Sequence, residues 1–415
     1  MSTDDLTQTI IDRHDRHMSL NYRRWPIVMQ RGRGCRLFDA NGKAYIDLFA
    51  GFGASILGHC HPDLVRAVQE QAGQLWHVGN LLHTEPQARV AEAIGRLGFD
   101  GRSFFCHSGA DANEAAIKLA RLHGRARLGS AGRRFKVICA HRSFHGRTFG
   151  TMAAAGDPAV RDGFEPIPAG FVHVDYNDID AVSAAIDPQT AAVMVEPIQG
   201  EAGVIVPDSD YLPKLRSVCD QHDLLLILDE VWTGCGRTGR TFAHQHWGIE
   251  PDIMTLGKGV GGGMAVGVMC AKAHVAELYD AAKQGGVKHA TTLGGNCVAM
   301  AASAAVFEVI ERDGLAKKAR QLGDHVLARL KPLAGKLDLV DEVRGMGLFI
   351  AIELDLTASS AKLQAGDLVT ACCQRGVLIN AVHQKALRLA PPLVIDQPLL
   401  DEGLQVIEDV LKKHT

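Results

Sequence analysis

Leu224-Leu225-Leu226-Ile227-Leu228-Asp229-Glu230 and, farther on, Ile253-Met254-Thr255-Leu256-Gly257-Lys258 decide how this chain folds. Each is a short apolar run of the kind that forms a strand buried on both faces. Each delivers a charged group at its C-terminal end, where open α/β sheets build their sites. The glycines Gly259, Gly261, Gly262 and Gly263 follow the lysine at once and let backbone approach it closely.

Working outward, apolar runs recur at Ser103–Cys106, Lys136–Cys139, Ala192–Val195 and Val266–Cys270. They are separated by helix-period segments, one opened by His61-Pro62 and running through Leu64, Val65, Val68 and Leu75, another opened by Glu85-Pro86. Alternation of this kind predicts an α/β fold with a mostly parallel central sheet covered on both sides. Residues 25–50 differ: Arg36–Asp39 and Ala44–Leu48 flank Asn41-Gly42, a strong hairpin signal. After an alanine-rich helix from Asn296 to about Arg312, the pattern turns α+β. It predicts helices at 315–331 and 361–375, strands at 349–353 and 377–381, and a last helix from Leu399. The N-terminal meander is too small to bury its own core and is expected to join the C-terminal third in a smaller domain. The expected division is 1–61 and 301–415 for that domain and 62–300 for the large one.

A chain of 415 residues, nearly half of them apolar, can bury a large core. A net charge of −3 gives no reason to expect nucleic acid or an anionic membrane as partner. Ten cysteines form no C-x-x-C pair, which favours buried, reduced thiols and a cytoplasmic location. Residues 1–24 carry no apolar core of a secretory signal, and no apolar stretch reaches the roughly 18 residues of a membrane span.

An acid and a lysine at neighbouring strand ends suggest pyridoxal phosphate, with Lys258 carrying it as a Schiff base and Asp229 holding the pyridinium nitrogen. Val231 has the parity to face the same way as Asp229 and pack beneath the ring. Ser108-Gly109-Ala110 opens a helix, and a small-residue turn at a helix N-terminus suits a phosphate. Phe144-His145-Gly146-Arg147-Thr148 offers an aromatic to stack on the ring and an arginine for a carboxylate. Gly234-Cys235-Gly236-Arg237-Thr238-Gly239 fits G-x-G-x-x-G, but no helix-period pattern follows it, which argues against a dinucleotide site. His59-Cys60-His61 and His244-Gln245-His246 lack the further ligands a metal would need, so no metal site is expected.

These motifs resemble the class III pyridoxal phosphate aminotransferases of fold type I, and within them the branch acting on N-acetylornithine. The resemblance runs from about Leu57 to Leu393. It is carried by the stretches already quoted and by Val195–Val204, Leu228–Val231, Gly236–Gly239 and Thr291-Thr292-Leu293-Gly294-Gly295-Asn296. It implies Lys258 and Asp229 as catalytic residues, Gly109 and Ala110 as phosphate binders and Phe144 as the stacking aromatic. It further implies a homodimer in which Thr292 completes the neighbouring subunit's phosphate site, with Thr291 beside the substrate. Arg147 matches the arginine that holds the substrate carboxylate. Glu201 and Arg388 match a pair in which the glutamate masks the arginine until 2-oxoglutarate displaces it. The implied activity is transfer of the terminal amine of N-acetylornithine to 2-oxoglutarate, a step of arginine biosynthesis.

The chain departs from that family at Trp232, where glutamine is usual beside the cofactor's phenolic oxygen. An indole N–H can donate there but cannot also accept as an amide does. Other ω-amines (ornithine, succinylornithine, 4-aminobutyrate), an aminomutase reaction with the same lysine and aspartate, and a non-catalytic binding module are the alternatives weighed.

Overall fold

The computed structural model describes residues 3–128, 133–357 and 363–414. Its central sheet has seven strands, in spatial order Gly101–Cys106, Gly267–Lys272, Ile253–Leu256, Leu225–Asp229, Thr190–Val195, Lys136–Ala140 and Phe171–Val174. The last five run parallel. Gly267–Lys272 is antiparallel to both its neighbours.

The run from Leu225 to Leu228 is apolar throughout because both faces are covered. Leu225 and Ile227 pack with Ala112, Ala116 and Leu119 of the helix Gly109–Leu128, while Leu226 and Leu228 pack with Leu212 and Leu215 of Tyr211–Gln221. The two-residue period of a strand then sends Asp229 to the same side as Ile227, toward the helix Gly109–Leu128. Thr255 lies beside Asp229 in the parallel register, so Lys258 emerges just past the aspartate. The chain crosses closely here: a Cβ on Gly267 would stand 1.9 Å from the Ser108 carbonyl oxygen.

The N-terminal strands Met29–Arg33, Arg36–Asp39 and Ala44–Asp47 form an antiparallel meander, with Gly42 at φ +83° in the turn. As expected, it joins the C-terminal third: Val377–Leu378 adds to it in parallel. A separate four-stranded sheet holds Val340–Met346, Phe349–Leu354, Ala386–Leu389 and Asn380–Val382. The single strand expected at 377–381 is therefore two short ones serving different sheets.

Other boundaries shift. The helix expected from His61-Pro62 is Pro62–Ala72 and stops before Leu75 because Gly73 follows it. The helix expected at 361–375 is Ala365–Gln374, and residues 361 and 362 lie outside the described residues. Thr3–His17 is a helix, and Phe171–Val174 and Val340–Met346 are strands, none of which the pattern predicted. The Gly234–Gly239 run opens no helix. Its buried Arg237 instead donates to the carbonyls of Leu348 and Pro391 and ties the loop to the C-terminal part. Nine of the ten cysteines are buried and Cys60 is exposed, all of them free thiols. Among the described residues no helix is long and apolar enough to cross a membrane, and no three His, Cys, Asp or Glu side chains are grouped to hold a metal ion.

Candidate active site

A cavity of about 350 Å³ lies at the C-terminal ends of the parallel strands. Gly109, Ala110, Phe144, Asp229, Val231, Trp232 and Lys258 all border it. The sequence-expected cofactor residues of the large sheet are therefore brought together around one space, with Thr292 the exception described below.

Asp229 is fixed from three directions. Its Oδ2 accepts from Asn113 Nδ2 and His145 Nδ1, each at 2.8 Å, and its Oδ1 accepts from the Val231 amide at 3.0 Å. An ionised carboxylate only accepts, so His145 Nδ1 carries the proton. Asn113 is itself locked, donating to the His145 carbonyl at 2.7 Å and accepting from Thr255 Oγ1 at 2.6 Å. The sequence pattern did not single out Asn113, His145 or Thr255 as site residues.

Glu196 was likewise missed, although it follows the strand Thr190–Val195 as Asp229 closes its own. It is buried and accepts from the amides of Phe144 at 3.0 Å and Gly200 at 2.9 Å. Burial pushes its carboxyl up to about 7, against the pull of His145. One carboxyl thus ties the Phe144 loop to the loop carrying Glu201.

Lys258 stands at φ +46°, a left-handed backbone that the glycine-flanked turn imposes. Its Nζ lies 4.0 Å from the centroid of the Trp232 ring. Burial pulls the ammonium down to about 7, while Glu201 opposes that shift and Arg388 adds to it. Near neutral pH the amine can therefore both accept and release a proton.

Glu201 and Arg388 form an ion pair at 3.1 Å. Arg388 is buried and also donates to the Gly200 carbonyl at 2.9 Å and to Asn380 Oδ1 at 3.2 Å, leaving Nη2 without a partner. For Glu201, burial raises the carboxyl's pKa, but Arg388 and Lys258 outweigh it and hold the group below its ordinary range. The Trp232 indole N–H is directed at Glu201 Oε1, at 3.2 Å. The donor pictured at a phenolic oxygen is engaged here with the glutamate instead.

Arg147 is exposed and lies 5.3 Å from the centroid of the Phe144 ring. With Phe144 it separates the inner cavity from an outer one of about 780 Å³ that Arg24, Phe52, Arg142 and Glu201 also line. Thr291 and Thr292 stand apart from Lys258, in another cavity with Asn80 and His83. Thr291 Oγ1 reaches the His107 ring at 3.1 Å, while Thr292 is exposed.

The inner cavity suits a phosphorylated pyridine. The first amides of the helix Gly109–Leu128 have no carbonyl one turn earlier to bond, which leaves donors for a phosphate. The approach is cut close, since a Cβ on Gly109 would come 2.6 Å from Val231 Cγ2 and one on Gly146 the same distance from Ala110 Cβ. A fixed carboxylate to accept from a ring nitrogen and a low-pKa amine complete the set.

The aminotransferase class-III family model matches residues 17–411. The acetylornithine aminotransferase of Caldanaerobacter subterraneus is 43% identical over 392 residues, which cover 94% of this chain and 96% of that one. That of Mycobacterium tuberculosis is 43% identical over 410 residues, covering 98% and 97%. Among solved structures, the ornithine aminotransferase of Toxoplasma gondii superposes with a TM-score of 0.92 at 30% identity, covering 98% of this chain and 94% of that one. The acetylornithine aminotransferase of Elizabethkingia anophelis superposes at 0.85 with 32% identity, covering 98% and 99%.

Proposed function

This chain belongs to the class III aminotransferases, and we propose that it moves the terminal amino group of N-acetylornithine to 2-oxoglutarate, giving N-acetylglutamate 5-semialdehyde and glutamate. The enzyme is pyridoxal phosphate-dependent. The observation that carries the chemistry is the placement of Lys258, a buried amine with its pKa near 7, in one cavity with the triply held Asp229. The choice of substrate is supported by relatives at 40–43% identity over nearly the whole chain that bear the name of that reaction.

Gly109 and Ala110 would hold the cofactor's phosphate, Phe144 and Val231 its ring faces, Asp229 its ring nitrogen and Lys258 its aldehyde carbon. When bound, the cofactor supplies an electron sink for the carbon that bears the amine. Asn113, His145 and the Val231 amide keep Asp229 aimed at one place. Lys258 Nζ takes the proton from the substrate's δ-carbon and would pass it to the cofactor's former aldehyde carbon, not back to the δ-carbon, so that the amine stays with the cofactor. Arg147 clamps the substrate carboxylate through its planar fork. Glu201 covers Arg388 while the acylated amine reacts and yields it to a carboxylate of 2-oxoglutarate in the return half.

We further assign residues 62–300 to the cofactor-holding domain and 1–61 with 301–415 to the smaller one. Thr292, apart from its own chain's Lys258 cavity, is assigned to a second subunit's phosphate site, which makes the enzyme a homodimer working on small molecules in the cytoplasm. Purified enzyme supplied with 2-oxoglutarate should form glutamate faster from N-acetylornithine than from ornithine, succinylornithine or 4-aminobutyrate. A faster rate with another amine would keep the chemistry and move the substrate. No transfer from any of them would sink the proposal.

A further inference from the structure

Trp232 occupies a site fitted to its bulk. A Cβ on Gly53 would meet its Cζ3 at 2.5 Å, and one on Gly200 would meet its Cδ1 at 2.9 Å. Phe349 stacks on it with centroids 4.9 Å apart and planes 16° from parallel. Held between two backbone segments and an aromatic ring, the indole cannot follow a neighbour that moves.

Three charged groups converge on this fixed ring. Lys258 Nζ is 4.0 Å and Arg388 Cζ 4.6 Å from its centroid, both at cation–π range. The N–H points at Glu201 Oε1, the same oxygen that receives Arg388 Nη1. Arg388 is as firmly seated, on the Gly200 carbonyl and Asn380, with a buried Nη2 still unpartnered. Of the three residues in the Glu201–Arg388–Trp232 cluster, only Glu201 is free to leave. When it leaves, it surrenders two donors at once.

We propose that Trp232 is a positioning residue that latches Glu201 over Arg388, setting how tightly the enzyme binds the dicarboxylate oxo acid relative to the amine donor. The physical reason is competitive. An incoming carboxylate gains Arg388 only by displacing Glu201, so every bond that holds Glu201 in place is subtracted from the affinity for that carboxylate. The indole bond has a charged acceptor, the stronger kind, and its loss is worth roughly a factor of ten in an equilibrium constant.

The proposal rests on the Glu201–Arg388 masking described above, and the test separates the two. Holoenzyme is titrated calorimetrically with glutarate, a dicarboxylate that lacks the reacting carbonyl, and KM is measured for each substrate. Trp232→Phe keeps a ring and removes the N–H. It should bind glutarate about tenfold more tightly and lower the KM for 2-oxoglutarate relative to that for N-acetylornithine by a similar factor. A general loosening of the site would instead raise both KM values. If circular dichroism shows that variant to be unfolded, Trp232→Leu, also without a donor, carries the same expectation. Glutarate affinity equal to or weaker than wild type in the folded variant overturns the latch. Glu201→Ala is the control: if it too fails to tighten glutarate binding, the masking itself is wrong, whereas tightening there but not at Trp232 removes only the role of the indole.

Discussion

Asn113 Nδ2 donates to Asp229 Oδ2 over 2.8 Å, joining the first turns of a helix to a strand end 116 residues later. The amide leaves little freedom, because the same nitrogen serves the His145 carbonyl and its oxygen takes the Thr255 hydroxyl. Asn113→Ala should therefore leave several buried polar groups unpaired and cost about 2–3 kcal/mol in urea unfolding. It should also release Asp229 from one of its guides and lower kcat by roughly tenfold or more. A variant with full stability and unchanged kcat would show that His145 and the Val231 amide suffice to hold the aspartate.

Lys258 sets a pH dependence whose sign follows from burial. Its folded pKa, near 7, lies below the roughly 10.4 of a free lysine. Only the neutral amine can take a proton, so activity should rise through about pH 7 and level off above it. The same shift acts on stability of the cofactor-free protein. Between about 7 and 10.4 the unfolded chain binds a proton that the folded chain has lost, so stability climbs with pH across that window. Below pH 7 the cost of burying the ammonium is present in full. Melting temperatures at pH 7 and 9.5 should differ less in Lys258→Met than in wild type, and an identical climb in both would detach the effect from this lysine.

Much of this site was legible because strand ends are legible. Asp229 and Lys258 close apolar runs, Gly109 follows one and starts a helix, and Phe144 and Arg147 sit in a loop after another. The central sheet could be read for the same reason, and only Phe171–Val174, an edge strand interrupted by a histidine and nowhere fully buried, escaped. Helix Thr3–His17 escaped because most of its residues are polar, with only Leu6, Ile10 and Ile11 to mark an apolar face. Asn113, His145 and Thr255 are ordinary polar residues until the fold sets them against Asp229, and no local spacing reveals partners 84 or 116 residues away. Glu196 was within reach, since the strand-end logic that finds Asp229 applies to it unchanged. The direction of the Trp232 N–H depends on Gly53, Gly200 and Phe349, which lie far apart in sequence.

Arg147 lies at the boundary of the inner and outer cavities with its guanidinium beside the Phe144 ring. A planar fork in that place can grip a carboxylate with two parallel bonds, and an ammonium on a flexible stem cannot. Arg147→Lys should raise the KM for N-acetylornithine by roughly ten- to a hundredfold, with a smaller change in kcat. Steady-state kinetics at fixed 2-oxoglutarate decide it, and an unchanged KM would take Arg147 out of the substrate site.

Thr292 offers a test of shared sites that needs no structure of the dimer. It is exposed and does not line the cavity of its own Lys258. If it serves the other subunit, Lys258→Ala and Thr292→Glu damage the same site when each lies in a different protomer of one dimer. The remaining site of that mixed dimer is then intact. Each parent should be nearly inactive, the second because a carboxylate placed against the phosphate repels it. Unfolding and refolding the two together should restore roughly a quarter of wild-type activity, since about half the dimers are mixed and each holds one good site. Were each subunit to build its site alone, every chain in the mixture would carry a lesion and activity would stay at the level of the parents.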